Sequence, residues 1–131
     1  MVTDPVSDMI IQLKNAQMAG RSLVTVSFSN FKLAIAELLK QEGYLRSITK
    51  KGKKVKKFLE LELANKGTGA KMITDVKRMS KPSRRMYHGA KEVKSVRQGY
   101  GMAVYSTPKG VMTDKAAREA KVGGEILFQL Y

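Results

Sequence analysis

"VTVSFSNFKLAIAELLKQEGYL" (Val24–Leu45) changes its hydrophobic period within a few residues, and that change decides the fold class. Val24, Val26 and Phe28 alternate with Thr25 and Ser27, the pattern of a half-buried strand. Ser29 then stands where a helix N-cap belongs. Phe31, Ile35, Leu38 and Leu39 give the apolar face of that helix, and Gly43 takes the place of its left-handed C-terminal cap. Upstream, Asp4-Pro5 opens another helix, with Asp4 as N-cap and Pro5 at the first helical position. Met9, Leu13 and Ala16 form its stripe, Val6 and Ile10 lie beside it, and Gly20 ends it. Downstream, Tyr44–Thr49 and Val55–Leu63 read as a hairpin with Gly52 in the turn. Leu59, Leu61 and Leu63 alternate with Glu60 and Glu62. The order is helix, strand, helix, strand, strand: two helices against a small sheet.

"ANKGTGA" (Ala64–Ala70) is Gly-rich and marks a boundary, giving domains of residues 1–66 and 67–131. Beyond it the apolar runs shorten and turn signals become dense. Strands are expected at Ile73–Arg78, Arg85–His88, Met102–Tyr105 and Ile126–Leu130. One short helix is expected near Glu92–Val96, and another from Thr113 as N-cap to about Ala120. The class is α+β: an N-terminal two-helix, three-strand α/β domain packed against a mainly β C-terminal domain with a short helix.

Charge points to a partner. Lys and Arg total 25 against 11 Asp and Glu, a formal net charge of +14 over 131 residues. Residues 1–70 carry +6 and residues 71–131 carry +8, so both halves are expected to face an anion. Such an excess repels itself unless a polyanion neutralises it, and nucleic acid leads an anionic membrane surface as the candidate. Cysteine is absent, which removes disulfides, thiolate metal sites and thiol nucleophiles. The N-terminal residues lack a secretory pattern and no apolar run approaches a membrane span, so a soluble, reducing compartment is expected. Eight Met, with Leu, Ile and Val, must fill much of the core because Trp is absent.

Three segments carry candidate chemistry. Lys50, Lys51, Lys53, Lys54, Lys56 and Lys57 surround the hairpin turn, as a phosphate-tracking finger would. "KRMSKPSRRMYHG" (Lys77–Gly89) sets five cations before Tyr87, an aromatic able to stack on a base or sugar. Arg84 and Arg85 point to opposite faces if extended, so one of them is expected to meet the ligand. "STPKG" (Ser106–Gly110) supplies more than a tight turn requires. Gly110 and Pro108 serve the turn, whereas Ser106, Thr107 and Lys109 read as groups aimed at a partner. Glu125, after a glycine pair, can accept from base amino groups or ribose hydroxyls, or orient a nearby lysine or tyrosine. His88 is the only histidine and reads as structural. No catalytic constellation, metal-ligand spacing or cofactor fingerprint is present, so catalytic residues, metals and cofactors are all expected to be none.

These motifs converge. "STPKGVMTDKAAR" with "VGGEIL" resembles the C-terminal signature of the small-subunit ribosomal protein eight family, bacterial type. "TDPVSDMI" with Asn15-Ala16, "IAELLKQEGYL" and "KRMSKPSRRMY" are similar to the same family's first helix, second helix and second-domain entry. Gln12, Lys14, Ser83 and Pro108 depart from its usual residues. The resemblance implies a non-enzymatic, cytoplasmic protein of the small ribosomal subunit. It implies binding to the central domain of small-subunit ribosomal RNA early in assembly. Implied protein partners are ribosomal protein five above all, and protein twelve; in some members the operon messenger is a second RNA target. No membrane or small-molecule substrate is implied. Carried over residue by residue, the binding surface comprises Ser106, Thr107, Lys109 and Gly110, with Tyr87 and Glu125 beside them. Asn15, Ser29, Lys32, Lys81 and Arg84 serve as backbone contacts. The competing classes are a free-standing RNA-binding translational regulator and an RNA-processing enzyme; the latter needs clustered carboxylates or a His pair that the sequence lacks.

Overall fold

The computed structural model describes residues 4–53, 56–63, 73, 75–81, 83–94 and 101–131. The chain divides into two units, Asp8–Ile73 and Thr74–Tyr131, the latter joined by Met1–Ser7. The expected boundary after residue 66 falls outside the described residues.

Helix α1 (Pro5–Met18) starts as the sequence predicts, with the Ser7 N–H donating to Asp4 Oδ1 at 3.2 Å. β1 (Leu23–Ser27) leads into α2 (Asn30–Gln41), whose N-cap Ser29 accepts from the Lys32 N–H at 3.1 Å. The Gly43 N–H donates to Lys40 O and the Tyr44 N–H to Leu39 O, a complete Schellman ending. β2 (Leu45–Lys53) and β3 (Lys56–Leu63) pair antiparallel, and the sheet order is β1-β3-β2. Leu59, Leu61 and Leu63 enter the core with Val24, Val26, Ile35 and Leu39, while Glu60 and Glu62 stay on the other face.

Local sequence misplaces three residues here. Phe31 is 40% exposed, whereas Ala36, outside the expected apolar face, is fully buried on α2. Phe28 lies beyond β1 and is half-buried under lysines. Gly52 is not in the turn: both strands run further, pairing Gly52 with Lys57 and Lys53 with Lys56.

The second unit is mainly β, with strands β4 (Val76–Arg78), β5 (Tyr87–His88), β6 (Met102–Thr107), β7 (Gly110–Thr113) and β8 (Gly124–Leu130). The order is β4-β8-β6-β7, with β5 also on β8. Helix α3 (Asp114–Ala120) is capped by Thr113 as expected, its hydroxyl accepting from the Ala116 N–H at 3.1 Å. Its Ala117 closes a core of Val93, Ala103, Tyr105 and Ile126, and Met79, Met86 and Met112 pack against that core. Asp114 is buried and ties α3 to β6, accepting from the Ala103 N–H at 3.1 Å and from Arg118 at 2.8 Å. β7 was not foreseen, because two residues, Val111 and Met112, are too short a run to show a period. Residues 92–94 do not begin the expected helix; a turn occupies 90–92, and residues 95 and 96 lie outside the described ones.

Candidate nucleic-acid interface

β8 lies between β5 and β6, and its register builds the site. Tyr87 pairs with Glu125, and Glu125 pairs with Ser106. Directly opposed residues of antiparallel strands share a face, so the three side chains form one row across the sheet. The next residues along, Tyr105 and Ile126, pair with each other and point into the core. The row therefore lies on the opposite face of these strands from that core, with Ser106 and Glu125 half-buried. Tyr87 is 67% exposed, which suits stacking on a ligand and not a place in the core.

The glycine pair before Glu125 exists for packing. A Cβ on Gly124 would lie 2.2 Å from Ser106 O, and one on Gly123 would lie 2.3 Å from His88 O. The pair lets β8 enter between its neighbours and is not open ground beside the carboxylate. Glu125 Oε2 accepts from the fully buried Ser80 hydroxyl and from Arg85 at 3.2 Å. The carboxylate thus orients an arginine and a serine, instead of the lysine or tyrosine expected. Ser80 also accepts from the Met86 N–H at 3.1 Å. Between those two residues, Lys81 and Arg84 exchange N–H···O bonds of 2.9 Å each way. Their exposed side chains thus stand on a closed turn whose base is tied to Glu125. Of the two arginines, Arg85 turns to Glu125 and Arg84 is left for solvent.

At the end of β6, Thr107 and Gly110 pair across a turn of Pro108 and Lys109. Proline second and glycine fourth are preferences of a type I turn. Gly110 has φ +114°, a value strained for any side chain even though the space around it is open. The Thr107 hydroxyl donates to Gly110 O at 2.8 Å and accepts from the Lys109 N–H at 3.1 Å. That corrects the reading of Thr107 as surplus to the turn: it holds the turn closed, with one acceptor lone pair left over. Lys109 is exposed and Ser106 half-buried.

The family model for ribosomal protein S8 matches residues 4–131. The chain belongs to the ribosomal protein S8 family. Proteins called small ribosomal subunit protein uS8 are its relatives. That of Mycoplasmopsis agalactiae is 45% identical over 99% of this chain and 98% of its own. That of Paracoccus denitrificans is 44% identical with the same coverage. That of Persephonella marina is 42% identical over the whole of both chains. The resemblance read from the motifs is thereby borne out, and the family is structural and non-enzymatic.

Three predicted residues of this S8-family chain lie in the other unit. Asn15 is exposed on α1, beside a groove of about 370 Å³ that Gln12, Arg21 and Thr25 also line. Ser29 is the N-cap already described. Lys32 is only 8% exposed, its ammonium donating to the Ser27 hydroxyl at 2.7 Å. Sequence reasoning missed Ser80 and Arg85 as partners of Glu125. Their spacing of 40 residues or more from Glu125 gives no periodic signal. His88 reads correctly as structural: its Nδ1 bonds the Tyr105 hydroxyl at 2.8 Å. Burial, with the Asp114 charge, pushes the Tyr105 hydroxyl up to about 12, so it stays protonated at neutral pH.

Proposed function

We propose that the protein is a structural component of the small ribosomal subunit in the cytoplasm, and that it binds ribosomal RNA through the row Tyr87–Glu125–Ser106 of its second unit and the turns beside it. The observation that carries the RNA reading is the row Tyr87–Glu125–Ser106, flanked by Lys109 on one turn and by Lys81 and Arg84 on the other. An exposed ring offers a stacking surface for a base or ribose. A hydroxyl and a carboxylate beside it match the 2′-hydroxyls and base edges of a shallow RNA groove. Cations at both ends suit the bordering phosphates. Thr107 and Gly110 add the close approach: a short, pinned turn with no side chain at its last position. The RNA is the central domain of the small-subunit molecule, with proteins five and twelve as neighbours, and the operon messenger is a second RNA taken by the same face. Asn15, Ser29 and Lys32 belong to the other unit and contribute to the RNA backbone contacts of that unit.

Footprinting on naked small-subunit RNA, with co-sedimentation on small subunits, tests the proposal. A compact footprint in the central domain and stoichiometric recovery with subunits are expected. RNA binding without co-sedimentation would favour the free-standing regulator.

A further inference from the structure

The sheet of the first unit has two edges, and they are built differently. In the order β1-β3-β2 the outer strands are β1 and β2. β2 carries Arg46, Lys50, Lys51 and Lys53, and its register shifts between Leu45 and Ser47. Edge cations and bulges of that kind keep another strand from adding to a sheet. β1, Leu23–Ser27, has no charge, no proline and no register shift. The Leu63 N–H donates to Ser22 O at 2.8 Å and the Phe28 N–H donates to Lys57 O at 3.1 Å. Bonded residues alternate in an antiparallel ladder, so Val24 and Val26 turn their N–H and C=O groups to β3. Leu23, Thr25 and Ser27 turn theirs the other way, and no backbone hydrogen bond among the described residues uses them. A groove of about 370 Å³ runs between β1 and α1, lined on the strand by Leu23, Val24 and Thr25. On the helix Ala16 and Ala19 leave room for a chain to approach. Arg21 also lines the groove; it is exposed and has no carboxylate partner among the described residues.

We infer that β1 is a docking edge that takes an extended, acidic segment of a partner protein as a fourth strand of this sheet. The edge offers N–H donors together with C=O acceptors, which a peptide strand matches at every second residue. Phosphate oxygens only accept, and would leave the three carbonyls without donors. Charge then selects among peptides. Arg21 stands just before the strand in a chain of net charge +14, so acidic residues at one end of the added strand meet a cation, while a second copy of the chain is repelled. Leu23 is 50% exposed on the face of β1 away from the core, and gives the added strand an apolar cross-strand contact. Occupancy of this edge does not depend on RNA binding by the second unit.

The test is titration of the full chain with a blocked peptide of alternating threonine and valine that ends in two glutamates, followed by backbone amide shifts and hydrogen exchange. Antiparallel addition, the more stable pairing, puts the glutamates beside Arg21. With peptide at about ten times its Kd, the Leu23, Thr25 and Ser27 amides should shift and gain about tenfold protection. The Val24 and Val26 amides, already bonded to β3, should change less. Thr25→Pro deletes one outward N–H and no ladder bond, so the thermal midpoint should hardly move while the peptide binds about fivefold more weakly. Arg21→Glu should weaken this peptide about fivefold and favour one that ends in two lysines. The same peptide N-methylated throughout should not bind the wild-type chain, and it carries the test if Thr25→Pro fails to fold. Equal binding by the N-methylated and parent peptides would overturn the docking edge, as would wild-type affinity in a folded Thr25→Pro chain. Preference of the wild-type chain for the lysine-ended peptide would remove the acidic partner. No shift of the three amides at the highest soluble peptide concentration would also overturn the edge. Their selective shift with a short RNA duplex in place of the peptide would assign it to nucleic acid instead.

Discussion

At the scale of single residues, a side chain that serves the turn and one that faces outward give opposite signatures. Thr107→Val removes a donor and an acceptor that both close the β6–β7 turn. It should cost about 0.5–1.5 kcal/mol of folding stability in urea denaturation, while Thr107→Ser, which keeps the hydroxyl, should cost less. A valine variant as stable as wild type would mean that the two bonds do not hold the turn. Tyr87 is the reverse case, exposed and on the edge-side strand β5. Tyr87→Ala should leave the thermal midpoint almost unmoved and weaken RNA binding by about 1–3 kcal/mol, the range for a lost base–aromatic stack. Equal binding by the two chains would remove the ring from the proposed interface.

At the scale of elements, α3 shows where local chemistry is under strain. It has only seven residues, so it depends on its ends. Its start is well served by the Thr113 cap and by Asp114 in the first turn. Its end is not: Lys121 takes the left-handed conformation, φ 56° and ψ 43°, the only such non-glycine among the described residues. The Lys121 and Val122 N–H groups still find Arg118 O and Ala117 O, so the geometry is enforced by packing of Val122 on the core. Lys121→Gly relieves the Cβ contact and should stabilise the fold by about 1 kcal/mol, read as a rise in thermal midpoint. A fall would show that the lysine itself does something there that its backbone does not explain.

At the scale of the whole molecule, a chain of net charge +14 loses its carboxylates' help as pH falls. Asp4 is the clearest case. Burial alone would raise its carboxyl, but the bonds from Arg78 at 3.0 and 3.1 Å and from the Ser7 N–H outweigh it and hold the group below the usual carboxylate range. Arg78 is itself nearly buried and also donates to Leu127 O. A depressed carboxylate contributes stability that is full above its unfolded pKa, about 3.8, and disappears as pH falls through its lower folded value. Asp4→Asn keeps the cap's oxygen but loses the charge. At neutral pH it should cost about 1–3 kcal/mol, and its stability should fall less steeply than wild type below about pH 4. Parallel acid limbs for the two chains would mean that the pair does not govern acid stability.

Most of the elements were legible because they obey short-range rules. Asp4, Ser29 and Thr113 cap the helices they precede, since a cap needs only a side-chain oxygen within three residues of a free N–H. The Leu59–Leu61–Leu63 alternation assigned a strand and its buried face, since the side-chain period of a strand is two. Phe31 shows the limit: an apolar residue at helical spacing is still left 40% exposed. The sequence alone also determined the basic character of the protein, its family and the separate candidates Tyr87, Ser106 and Glu125. Only the tertiary structure decided that these three stand in one row, because register across β5, β8 and β6 depends on hydrogen bonds between segments far apart in the chain. It likewise decided that Thr107 closes its own turn, that Lys32 is buried, and that Lys50 and Lys57 meet over Phe28. Periodicity reports which way a side chain points from its own strand or helix; what it meets there depends on a partner segment that no local pattern encodes.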